Sequence, residues 1–199
     1  MPPPGPAKQF DRQKALQKGL GLFWKRGYPD VSLNDLLAEM RIGRQSFYNT
    51  FGSKADLFDE AVQQYVGQYQ QPMIKLLSAG DSPDANLMKF LSQWETAAGK
   101  KPNDGCFLVN TCDDLPCLRS ESVDLVTAAA KQMEDAIAKQ IERAKKTLEI
   151  ASDLSARKIA RILTMLGNGM MVDARNPNST ASSKGLLTAT YRGLVTPIE

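Results

Sequence analysis

Residues Val31–Phe58 read VSLNDLLAEMRIGRQSFYNTFGSKADLF. Two short runs with helical spacing of apolar residues lie on either side of Gly43. Ser32 precedes the first, with Asp35 three positions on, so that a hydroxyl and a carboxylate can satisfy the free N–H groups of a helix start. The spacing predicts a short helix over Leu33–Met40, a break at Gly43 and a second short helix over Arg44–Phe51. Gly52 stops the second, and Ser53 is placed to cap a long helix that opens at Lys54. Phe47 and Phe51 lie four apart, on one face, and can turn inward toward Leu16, Leu20, Leu36 and Leu37. Arg44, Gln45, Ser46, Tyr48 and Asn49 are left for the outer face. Two short helices about a tight turn, the second anchored by aromatics and polar outside, predict a helix-turn-helix of the kind that enters a DNA major groove.

On the N-terminal side, Met1–Gln9 (MPPPGPAKQ) cannot form a helix and is expected to be a disordered lead-in. From Phe10 the pattern turns helical through Leu16, Leu20 and Phe23, and Gly27 is placed to end that helix. On the C-terminal side the long helix carries Leu57, Phe58, Ala61, Val62 and Tyr65, is disturbed at Pro72, and resumes through Ile74 to Leu77. Asp81-Ser82-Pro83 caps a further helix to about residue 98. CFLVNTC, residues 106–112, is read as a short helix because nothing nearby offers a strand partner. Long amphipathic helices follow through Val126–Leu148, Ser155–Asp173 and Thr180–Leu194. The fold class is all-α.

Composition narrows the function. The 199 residues contain no histidine, which removes the commonest general base and the commonest transition-metal ligand. The three cysteines lack the close pairing of a structural zinc site and fit a reducing compartment. No apolar run approaches the ~20 residues of a membrane span, so a cytoplasmic protein without membrane association is expected. Residues 8–54 hold nine Lys/Arg against four acids, a net +5; with the whole chain at +3, the remainder carries −2. That polarity suits a module facing phosphates.

The motif resembles the TetR family of bacterial transcriptional regulators. The matching residues are Gly27-Tyr28, Ser32, Gly43, Phe47-Tyr48, Phe51, Ser53-Lys54 and Leu57-Phe58. The resemblance is tight over roughly residues 10 to 65 and implies about nine helices in all, the first three forming the DNA-binding unit. The division expected is residues 10–54 for DNA binding and 55–199 for effector sensing and dimerisation. Ser32, Arg44, Gln45, Ser46, Tyr48, Asn49 and Lys54 are the expected DNA contacts. Arg44 suits guanine and Gln45 adenine, while Tyr48 and Lys54 match positions that usually hold phosphates in the family, and Ser32 with the adjacent helix N-terminus can do the same. Asn49-Thr50 depart from the aromatic or histidine pair common there, so base preference does not transfer. The implied protein is a homodimeric repressor on an inverted-repeat operator of double-stranded DNA, with no cofactor, no metal and no catalytic residues.

Residues 104–111, DGCFLVNT, resemble the Gly-Cys segment of a branch of that family whose members include repressors answering to electrophiles and oxidants through this cysteine. The resemblance implies a sensing Cys106. A cysteine near a helix N-terminus, with Lys100 and Lys101 upstream, has its thiolate favoured, and oxidation to a sulfenic acid is reversible. The same residue reads as a small buried hydrophobe. Cys112 and Cys117 carry no motif, and a helical path separates residues 106 and 112 by roughly 9 Å along the axis. A small-molecule effector is the other route, with Trp94, Phe107, Asn110, Met133, Met165 and Met170 as candidate lining; such residues also make ordinary core. The last two helices, through Ile159, Ile162, Leu163, Leu166, Met170, Leu186, Leu187, Tyr191 and Leu194, are expected against a second copy, with Gly167 and Gly169 allowing close approach. The competing readings are a helical protein-interaction module and an enzyme with Cys106 as nucleophile, for which, without histidine, Asp113-Asp114 is the local candidate for the base.

Overall fold

The computed structural model describes residues 10–80, 82–100, 103–179 and 182–197. The expected lead-in Met1–Gln9, together with Asp81, Lys101 and Thr180, lies outside the described residues.

Each early helix starts where a side chain can satisfy its free donors. Asp11 accepts the N–H groups of Gln13 and Lys14 (3.0 and 3.1 Å) and opens α1, Arg12–Arg26. Gly27 ends it at φ 83°, a conformation that glycine adopts without a Cβ penalty. Ser32 and Asp35 form a complete capping box at the start of α2, Leu33–Met40. After Gly43 comes α3, Arg44–Phe51, and a second capping box, Ser53 with Asp56, opens α4, Lys54–Tyr65. α4 continues through a π-helical turn, Val66–Gln70, into α5, Gln71–Leu76. The cause is Pro72: it has no N–H to donate and its ring crowds the carbonyl one turn back, so the chain takes up an extra residue just ahead of it.

Then follow α6 (Pro83–Gly99), α7 (Phe107–Asn110), α8 (Ser120–Lys146), α9 (Ala156–Ala174) and α10 (Leu186–Leu194). Counting α4 and α5 as one rod, the described residues hold nine helices, in line with the all-α reading and with the number the family resemblance implied. The one sheet among them is a two-residue pairing of β1, Ile150–Ala151, with β2, Thr196–Pro197. Two local expectations are corrected. CFLVNTC is α-helical only over its first turn and then tightens into a 3-10 segment, Thr111–Cys117, containing Pro116. α10 begins at Leu186 rather than near residue 180, because Gly185 turns the chain at φ 82° immediately before it.

The interior is two apolar clusters. One lies under α1–α4 and includes Leu20, Phe23, Leu36, Phe47, Leu57 and Phe58, joined by Phe107 and Val126. The other is built by α6, α8, α9 and α10 around Phe90, Leu91, Ile137, Ile159, Leu163 and Tyr191. Among the described residues Cys106 is the partly buried side chain that packs against both. Several residues expected on a second copy are instead in this second core: Ile159, Leu163, Met170, Leu187 and Tyr191 are all buried within the protomer. The outward apolar residues are Met165 and Val172 on α9, about 60% exposed, and Leu186 on α10. Gly167 faces inward, against Trp94, while Gly169 meets nothing within 4 Å.

Candidate nucleic-acid interface and an adjoining cavity

α3 is held from beneath and bare outside. Phe47 and Phe51 are buried, 5.8 Å apart between ring centroids, while Arg44, Gln45, Tyr48 and Asn49 are exposed and Ser46 is half-buried. The structure therefore brings Arg44, Gln45, Tyr48 and Asn49 together on one polar surface. Arg44 Nη2 donates to Asn34 Oδ1 of α2 (2.8 Å), which orients the guanidinium from the neighbouring helix. Gln45 Nε2 donates to Asn49 Oδ1 one turn on (3.0 Å).

Ser32 and Lys54 stand at helix starts on either side in sequence. The Ser32 hydroxyl is committed to its capping box, accepting the Asp35 N–H at 3.1 Å and donating to Asp35 Oδ2 at 2.5 Å. These bonds, with Arg26 beside it, hold the Asp35 carboxyl down to about 2. Lys54 is half-buried, its Nζ 4.2 Å above the Tyr28 ring centroid. Desolvation there lowers its pKa from the usual lysine value, against the fields of Asp114, Asp30 and Asp35.

Behind this unit lies a cavity of about 540 Å³, lined mainly by Trp24, Tyr65, Tyr69, Met73, Trp94, Cys106, Met133 and Met171, with Lys100 also on its wall. Its surface is aromatic and thioether, which fits an apolar organic molecule. Cys106 stands at the N-cap of α7, and the Tyr65 hydroxyl donates to its Sγ at 3.2 Å. Burial, then the neighbouring cysteine, pushes the Tyr65 pKa well above the phenol value, so this donor keeps its proton. The glycine of the Gly-Cys pair is required sterically. Gly105 has φ 75°, and a Cβ there would come within 2.8 Å of the Arg175 side chain.

Of the expected sensing residues, Cys106, Trp94 and Met133 meet at the cavity. Phe107 turns into the core beneath α1–α4, edge-on to Phe58 at 5.8 Å. Asn110 ties the loop instead, its Nδ2 donating to the Asp104 carbonyl at 2.8 Å. Met165 is 62% exposed and Met170 is buried in the second core, so neither lines the cavity. Trp24, Tyr65, Tyr69 and Met171 were missed. Tyr65 and Tyr69, four apart, carried a helical signal; Trp24 carried none, because it sits in the helix assigned wholly to DNA binding. All three cysteines are free thiols, and no group of three His, Cys, Asp or Glu among the described residues is placed to hold a metal.

Known proteins share both halves of this arrangement. The family model for bacterial regulatory proteins of the tetR family matches residues 15–61, and that for the tetracyclin repressor-like C-terminal domain matches residues 83–189. The chain belongs to the TetR family. It is 30% identical over 161 residues to the uncharacterized HTH-type transcriptional regulator YezE of Bacillus subtilis, covering 80% of this chain and 83% of that one. It is 24% identical over 190 residues to the HTH-type transcriptional repressor ComR of Escherichia coli, covering 94% and 90%. A solved structure of the TetR family regulator CifR, a cysteine mutant complexed with 26bp double-strand operator DNA, superposes with a TM-score of 0.80 at 26% identity, covering 94% of this chain and 98% of that one. These are transcriptional regulators, not enzymes. In this TetR-family chain no helix among the described residues is long and apolar enough to cross a membrane.

Proposed function

We propose that this protein is a cytoplasmic transcriptional repressor that binds an inverted-repeat operator on the bacterial chromosome as a homodimer. It is released when the cavity is filled or Cys106 is modified. The observation that carries the reading is the polar outer face of α3 over its buried Phe47–Phe51 anchor, in a stretch, residues 8–54, of net charge +5. Arg44 and Gln45 read base edges, and Ser46, Tyr48 and Asn49 complete the groove face. Lys54 and the start of α2 at Ser32 meet phosphates. The complex of CifR with operator DNA supports the assignment of this unit, and the repressor name of ComR supports the direction of regulation. Met165, Gly169 and Val172, spaced along the exposed side of α9, with Leu186, give the apolar strip on which the second copy packs. Two recognition helices in such a dimer lie about one helical turn of DNA, roughly 34 Å, apart.

Cys106 is the sensing residue because it touches both cores and opens to the cavity, so an added group there strains both at once. The first test is selection of genomic DNA fragments by the purified, reduced protein, followed by sequencing. An enriched inverted repeat supports the repressor reading, and no enrichment after refolding away bound effector refutes it. On the recovered site, Arg44→Ala relaxes preference at one base pair, worth about 1–3 kcal/mol of discrimination. Iodoacetamide releases the wild type but not Cys106→Ser from that DNA. Both tryptophans line the cavity, so their emission reports the same event.

A further inference from the structure

The segment carrying Cys106 is fastened at one end to α1 and at the other to the turn that follows it. At one end the Asp104 carbonyl accepts from Trp24 Nε1 at 3.1 Å. At the other, Asp114 Oδ2 accepts the Tyr28 N–H at 2.8 Å, across 86 positions of sequence. Gly27 makes this second contact possible: a Cβ there would stand 3.0 Å from the same carboxylate oxygen. The Tyr28 ring is braced by Phe23 and Phe58, at 5.9 and 5.0 Å between centroids, and carries the Lys54 ammonium 4.2 Å above its face. A ring face attracts a cation through its quadrupole, so the place of the ring sets the place of the charge. Lys54 is otherwise a flexible four-carbon stem. Asp114 is an acid within the field of a lysine that belongs to the net-positive stretch of residues 8–54. If charge alone mattered, it would weaken DNA binding, so its place there calls for another role.

We propose that Asp114 is a positioning residue for DNA binding: by holding the Tyr28 backbone it sets the ring on which Lys54 is placed against a DNA phosphate. The proposal rests on the reading of Lys54 as a phosphate contact. It gives the sensing segment a direct route to the DNA face. A shift of residues 106–114 moves Lys54 with no change in α3.

The test is equilibrium binding of the full-length protein to the operator recovered by genomic selection, measured by fluorescence anisotropy over a range of salt. Asp114→Ala removes the acceptor. It is expected to lower the slope of log affinity against log salt by about 1.8 per dimer, one phosphate contact per protomer, and to weaken binding by up to about 30-fold at 0.15 M salt. Asp114→Asn keeps an acceptor for the Tyr28 N–H and is expected to retain the wild-type slope. Tyr28→Leu leaves the Asp114 bond in place but removes the ring, and is expected to lose the same slope as Asp114→Ala. Tighter binding by both Asp114 variants would mean that the acid acts only through its charge, and would overturn the proposal. So would a lower Tm for Asp114→Ala with unchanged affinity and slope. Lys54→Gln separates the levels of the argument. If it keeps the wild-type slope, Lys54 meets no phosphate and the underlying reading fails. If it lowers the slope while Asp114→Ala and Tyr28→Leu do not, positioning alone fails.

Discussion

Gly167 tests how the cavity wall is built. An alanine Cβ there would stand 2.5–2.7 Å from Cζ2, Cη2 and Cε2 of Trp94. Carbon atoms settle at about 3.5–4.0 Å, so the indole must retreat by about 1 Å. It cannot yield by bending. It is a rigid ring, braced edge-on by Phe90 at 5.7 Å. Gly→Ala inside a helix otherwise stabilises by about 1 kcal/mol, whereas overpacking costs about 1–3 kcal/mol. Gly167→Ala is therefore expected to destabilise by about 1 kcal/mol net in the wild type. In a Trp94→Leu background the sign reverses to a gain approaching 1 kcal/mol, because only the helix propensity remains. Gly21 in α1, with nothing within 4 Å of an added Cβ, is the control, and its alanine variant is expected to stabilise. The assay is urea unfolding of the three single variants, Gly167→Ala, Trp94→Leu and Gly21→Ala, and the double variant at fixed protein concentration. Stabilisation by Gly167→Ala equal to that of Gly21→Ala would refute the reasoning. A cost that depends on protein concentration and not on Trp94 would return Gly167 to a contact between copies.

Two further outcomes follow from charge placement. The Glu95 carboxylate, buried on α6, accepts the N–H groups of Gly185 and Thr188 and the Thr188 hydroxyl at 2.7–3.0 Å, and so caps α10, which has no side-chain cap of its own. Glu95→Ala is expected to cost about 3 kcal/mol or more in urea unfolding and to speed amide exchange in α10; protected α10 amides would contradict this. The Asp35 carboxyl, held at about 2 against an ordinary 3.8, is depressed in the folded chain, so its contribution is complete above pH 4 and is lost as pH falls toward 2. A carboxyl carbon NMR titration of Asp35 with a midpoint near 4 would show that the capping box does not hold it.

The helix-turn-helix was legible because its determinants are local. A capping box spans four residues, the Phe47–Phe51 pair spans one turn, and glycine at a turn announces itself. The cavity was only half legible, because lining depends on which way a helix face turns. Met170 and Met171 are adjacent in sequence and both are buried in the second core, yet of the two it is Met171 that reaches the cavity wall. No single-sequence periodicity on a helix buried over most of its circumference fixes that phase. The two glycines inside α9 show the same limit. Gly167 and Gly169 read alike in sequence, yet one faces Trp94 and the other faces open space.

What joins the two halves was the least legible, since it is made of contacts across 80 to 86 positions: Trp24 with Asp104, and Tyr28 with Asp114. These bonds explain why the first helix cannot be assigned to DNA binding alone. Trp24, near its end, lines the cavity while Phe23, one residue earlier, sits in the core that anchors α3. The start of α4 is tied in the same way. Arg119, just before α8, bridges Asp56 and Asp59, and the Ser122 hydroxyl donates to Asp59. Exposed ion pairs of this kind add little stability, about 0–1 kcal/mol each. Their place matters more than their strength. They and the Asp114 contact approach the same helix start, Ser53–Asp56, from α8 and from the Cys106 segment. On the coupling proposed above, a change at the cavity that moves either contact shifts the start of α4 and with it Lys54.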